Sequence, residues 1–111
     1  MGPEDFCSQL ANLGYEVTRR GQYAIFKYEI PLGTLIGQTV QLGLVATNDF
    51  PLSPPPGPHV SPRLGHPDEA THNSDLGSEW EYWSRPFPSW AATDRTVRAY
   101  MAHVRHLFSQ R

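Results

Sequence analysis

Between Asn48 and Pro62 the sequence reads NDFPLSPPPGPHVSP, and six of the chain's 11 prolines fall inside it. Proline fixes φ at about −65°, offers no N–H, and pushes the residue before it out of the helical region. No helix crosses such a segment and no interior strand continues through it, so it must traverse the molecule as extended, polyproline-like backbone. A flexible linker is built from Ser, Gly and charge. This segment carries Phe50, Leu52 and Val60, which are poorly placed in open water. It is expected to be an ordered belt packed on the domain, against the alternative of a loose proline-rich ligand segment.

A chain of 111 residues is large enough for one core and too small for two, so residues 1–111 are read as a single domain. Its 39% apolar content is ordinary for a folded protein. A formal charge of −2 with no run of Lys or Arg gives no footprint for nucleic acid or an anionic membrane surface. No apolar stretch approaches the length of a membrane span, and none follows a basic start as in a secretory signal. Cys7 stands alone and has no internal disulfide partner, which suits a reducing cytoplasm. It lies beside an apolar stripe and is read as a small buried hydrophobe.

That stripe is Phe6, Leu10 and Leu13, spaced for a helix whose first turn holds Pro3, Glu4 and Asp5 and whose stop is Gly14. Residues 15–18 and 23–30 read as a hairpin, with Arg19-Arg20-Gly21-Gln22 as its turn. In the second strand Ala24, Phe26, Tyr28 and Ile30 share one face. A third strand alternates Val40, Leu42, Leu44 and Ala46 with Thr39, Gln41, Gly43 and Val45, and feeds the belt. The three strands form an antiparallel meander whose apolar face needs a helix over it.

Residues 63–79 turn polar, with Leu64 and Leu76 the only large apolar side chains, and read as an irregular loop. Trp80, Tyr82, Trp83, Phe87 and Trp90 then crowd together and are assigned to the core. Thr93 is the expected N-cap of a final helix, in which Val97, Tyr100, Met101, Val104 and Phe108 keep helical spacing. His103 and His106 fall on its polar side and are read as solvated. His59, His66, Asp68 and His72 match no metal-binding spacing, so no metal or cofactor is expected. His59 is instead expected to hold backbone carbonyls in place through its ring N–H.

This order of elements resembles that of the ubiquitin-conjugating enzyme (E2) superfamily. Asp49-Phe50-Pro51-Leu52-Ser53-Pro54-Pro55 is similar to the family's Tyr-Pro-Phe-x-Pro-Pro, and His66-Pro67-Asp68 follows at the spacing of its His-Pro-Asn. The runs PPPGPHVSP and WEYWSR, with the later YMAHV, look like the bacterial group called prokaryotic E2 family E. The resemblance implies an α+β, E2-like fold with an N-terminal helix, a three- to four-strand antiparallel meander, a proline-rich crossing and a C-terminal helix.

The family's catalytic cysteine falls near Leu76, and Ser74-Asp75-Leu76-Gly77-Ser78 contains none. Asp68 replaces the family's oxyanion-stabilising Asn with a carboxylate, which repels developing negative charge. The resemblance therefore implies a non-catalytic, cytoplasmic protein of a bacterial ubiquitin-like conjugation pathway, binding an E1-like enzyme or a ubiquitin-like protein. Its contact surface is expected at the first helix, with Phe6 and Leu10, and along the belt, with Phe50, Pro51, Leu52, Pro54 and Pro55. One alternative is a transferase with a non-cysteine residue, drawn from His66, Asp68, His72, Ser74 and Ser78, in which His66 or His72 serves as base to a serine. Another is an unrelated α+β interaction module whose proline belt binds a partner.

Overall fold

The computed structural model describes residues 2–64 and 71–109. Its elements are α1 (Pro3–Asn12), β1 (Thr18–Arg20), β2 (Tyr23–Glu29), β3 (Thr39–Val45), β4 (His59–Ser61), β5 (Thr71–Ser74), β6 (Gly77–Trp83), a 3-10 turn at Trp90–Ala92 and α2 (Val97–Ser109). The strands form one six-stranded antiparallel sheet in the order β1-β2-β3-β4-β6-β5. The fold is thus α+β, with two helices against a single sheet.

Alternation in β2 and β3 decides which face is buried. Ala24, Phe26 and Tyr28 lie opposite Leu44, Leu42 and Val40, and all six point into the core. Phe6 and Leu10 of α1 cover this face together with Val97, Tyr100, Val104 and Phe108 of α2. α1 ends as its sequence dictates, with Gly14 at a φ of 102° just beyond it.

Several boundaries differ from those expected. The first hairpin turns at Gly21-Gln22, where Gly21 has a φ of 60°, and Arg19 and Arg20 are strand residues rather than turn residues. Thr93 does not cap α2. Its hydroxyl donates to the Trp90 carbonyl at 2.7 Å and closes the 3-10 turn. Thr96 is the cap instead, its Oγ1 accepting from the Ala99 N–H at 3.2 Å while Asp94 Oδ1 accepts from the Thr96 hydroxyl at 2.7 Å. His103 is half-buried rather than solvated: its ring stacks on Phe87 at 4.5 Å, and Nε2 lies 3.3 Å from the Arg85 carbonyl.

The largest difference is the width of the sheet. β1 to β3 are the expected meander, and β4, which falls inside the stretch read as belt, adds a fourth strand in sequence order. Residues 71–83, read as loop and aromatic cluster, fold instead as a hairpin that joins β4 through the pairs His59↔Tyr82 and Val60↔Glu81. β5 is polar throughout and lies at the sheet edge, so it carries no alternation to betray it.

The belt is packed on the domain, but it is neither all extended nor all irregular. It opens with a turn in which the Leu52 N–H donates to the Asp49 carbonyl at 2.8 Å. Phe50 is fully buried, edge-on to Phe6 at 5.2 Å, and the Trp90 indole N–H donates to the Pro51 carbonyl at 2.9 Å. Pro55, Gly57 and Pro58 are buried, and the Trp83 N–H donates to the Pro58 carbonyl at 2.9 Å. The last residues, His59–Ser61, become β4.

Candidate functional site

The face of the sheet away from the helices carries a second, smaller apolar cluster, made of Tyr23, Leu76 and Trp80 with Ile25 and Val45 beside them. Leu76 is at the β5–β6 turn and is only 4% exposed. The turn folds down over β3 because position 43 is glycine, where a Cβ would stand 2.6 Å from Leu76 Cδ1. A larger residue at 43 forces the Leu76 side chain to turn away from this position.

This folding brings together the most chemically distinctive group of the molecule. His59, on β4, is 5% exposed. Its ring stacks on Tyr82 at 4.6 Å and meets the edge of Tyr23 at 4.9 Å. Nδ1 lies 2.7 Å from Ser74 Oγ, and that oxygen accepts from the Leu76 N–H at 3.0 Å. The Ser74 hydroxyl can therefore donate its own proton to Nδ1 of a neutral imidazole. Burial pushes the His59 pKa down to about 4, with the Asp75 carboxylate pulling the other way.

A serine against an imidazole has the composition of a nucleophile and its base. Here the local chemistry favours a latch. The serine oxygen is already an acceptor, the imidazole is a weak base, and the Leu76 N–H is spent on Ser74 rather than left to stabilise an oxyanion. Together they hold the β5–β6 turn against β4.

The sequence-derived candidates separate accordingly. His66 and Asp68 lie outside the described residues. His72 is exposed on β5 with its ring 6.3 Å from Tyr82, and the imidazole that reaches Ser74 is that of His59. His59 thus faces a hydroxyl rather than a backbone carbonyl. Ser78 is exposed, and its carbonyl accepts from Arg63 at 3.4 Å. Cys7 is half-buried rather than buried, with Arg19 Nη1 3.8 Å from its sulfur. Among the described residues, no three His, Cys, Asp or Glu side chains gather as metal ligands do.

The proposed contact residues also divide. Phe6, Leu10 and Phe50 are core residues with no exposed surface, and Pro55 is buried, so none of the four offers a side chain to a partner. Pro51 and Pro54 are half-buried, while Leu52 is 64% exposed. On the inner face Glu81 is buried. Its Oε2 accepts from the Trp83 indole at 2.8 Å and from the Leu64 N–H at 3.0 Å, which ties the chain after β4 to β6.

The latch has a pH signature. A histidine whose folded pKa lies below its unfolded value of about 6.5 stabilises the fold above that pH and withdraws stability as pH falls toward the folded value. From pH 7.5 to 5, His59 is expected to cost about 2 kcal/mol. Denaturant unfolding across this window should show that loss in the native chain and a flatter profile in His59→Gln. Equal slopes would remove His59 from the latch.

Comparison of the chain with protein families, with curated proteins and with solved structures finds no match in any of the three.

Proposed function

We propose that this chain is a non-catalytic protein of E2-like architecture, acting in the cytoplasm by binding an E1-like enzyme or a ubiquitin-like protein and positioning it. The observation that carries the reading is Leu76. At the place where the E2 resemblance puts the cysteine, this chain has an apolar side chain buried at a hairpin turn, next to a serine held by two hydrogen bonds. Support also comes from the succession of α1, the four-strand meander β1 to β4, the packed belt between β3 and β4, and the closing α2. The β5–β6 hairpin is this chain's own addition to that plan.

Leu52 is the exposed apolar member of the belt and its natural contact residue. Leu52→Asp is expected to weaken a complex with the E1-like or ubiquitin-like partner by about tenfold or more, the loss of a well-packed anchor, without moving the unfolding midpoint. Undiminished affinity, measured by calorimetry, would remove the belt from the contact surface.

A second reading is favoured by one observation, the 2.7 Å contact of Ser74 with His59. In it, Ser74 Oγ attacks the carbonyl of an activated ubiquitin-like protein, His59 takes the hydroxyl proton, and the thiol of the E1-like enzyme leaves as an ester forms. That ester would resist thiols, yield to hydroxylamine and vanish in Ser74→Ala.

A further inference from the structure

A cleft of about 380 Å³ opens along the flank of α2, and none of its lining residues belongs to the β5–β6 latch or the belt. One wall is helical: Arg98, Met101, Ala102 and Arg105 recur at the spacing that places side chains on a single helix face. The facing wall is Tyr15, from the connection after α1, with Tyr28 and Glu29 at the end of β2. Among the described residues, neither guanidinium has an ion-pair partner, and neither phenol has a hydrogen-bond acceptor. In a chain of net charge −2, two guanidinium groups here share a concavity with two idle hydroxyl donors and a single carboxylate, that of Glu29.

The polar heads also sense one another. Burial raises the pKa of both phenols, that of Tyr28 to about 12, with Tyr15 adding to the rise in Tyr28 and the Arg105 charge opposing it. Both tyrosines are therefore neutral donors at physiological pH.

We propose that this cleft binds a phosphate monoester of a small organic group. Arg98 and Arg105 supply charge-assisted N–H donors from one wall, and Tyr15 and Tyr28 supply O–H donors from the other, an arrangement that suits the several oxygens of a phosphoryl group. Met101 and Ala102 give the helical wall an apolar stretch for the organic part, and the volume exceeds what a lone oxyanion fills. Glu29 is the one negative group of the lining, and it limits how much charge the ligand carries. This site does not depend on the E2-like reading, because it uses neither Leu52 nor Ser74.

The test is calorimetric titration of the full chain at pH 8 and low salt with phenyl phosphate, inorganic phosphate and benzoate. Phenyl phosphate is expected to bind more tightly than either of the others. Arg98→Ala and Arg105→Ala, both at exposed positions, are each expected to weaken it by about tenfold, the size of one lost charge-assisted hydrogen bond. Glu29→Gln is expected to tighten it, because a dianion no longer faces a carboxylate. No binding at about 10 mM phenyl phosphate, weaker than a contact of about −3 kcal/mol, would overturn the proposal. So would affinity that is the same in both arginine variants, which marks diffuse surface attraction. Benzoate binding as well as phenyl phosphate would overturn the phosphoryl assignment, and inorganic phosphate binding as well would overturn the organic part.

Discussion

Phe50→Ala is expected to lower the unfolding free energy by about 3 to 5 kcal/mol, the range for removing a large aromatic from a core that cannot collapse into the space. Phe50 is fully buried where three parts of the chain meet: the Phe6 ring of α1 at 5.2 Å, the Trp90 ring of the 3-10 turn at 6.2 Å, and the belt itself. The neighbours are poorly placed to fill the gap. Trp90 is tethered through its indole to the Pro51 carbonyl, and the Gly2 N–H is tethered to the Phe50 carbonyl at 2.9 Å. A domain of this size is stable by about 5 to 15 kcal/mol in total, so the variant should unfold at much lower denaturant. A loss below about 0.5 kcal/mol, the size of an ordinary surface change, would place Phe50 outside the core.

Gly57→Ala is expected to be at least as damaging, at about 3 kcal/mol or more, for a different reason. A Cβ at this position would stand 1.9 Å from the Trp83 carbonyl oxygen and 3.0 Å from the Arg85 nitrogen. Both are backbone atoms, so no rotamer change relieves the contact. The belt must then lift from the end of β6, and the hydrogen bond from the Trp83 N–H to the Pro58 carbonyl goes with it. Pro56→Ala, one residue away at an exposed position, is expected to change stability by less than about 1 kcal/mol. Comparable unfolding midpoints for the two variants would contradict the close approach of belt and strand.

These two positions mark where the sequence was readable and where it was not. The weight of Phe50 follows from local chemistry, since an aromatic side chain among prolines in an ordered segment has only the core to enter. Phe6 and Leu10 in α1 and the alternating residues of β2 and β3 were legible for the same reason: one face of each element is apolar at its own period. The need for glycine at 57 depends on Trp83, and that at 43 on Leu76, contacts between segments distant in sequence that no period records. The β5–β6 hairpin stayed hidden because polar residues fill its edge strand, and with it the register that sets His59 opposite Tyr82. Once that hairpin was unseen, the pairing of Ser74 with His59 could not be read, although both residues stood out individually. The core placement of Phe6, Leu10 and Phe50 also shows how a motif resemblance can assign to a surface what packing needs inside.

The proposed role requires that this protein bind its partner without forming a covalent intermediate. Its most direct test mixes the chain with an E1-like enzyme, a ubiquitin-like protein and ATP, and resolves the products with and without thiol and hydroxylamine. A non-covalent complex is expected, with no adduct of this chain under any condition. An adduct cleaved by hydroxylamine but not by thiol, and absent in Ser74→Ala, would contradict it and make the Ser74–His59 pair catalytic; an adduct cleaved by thiol would contradict it through Cys7.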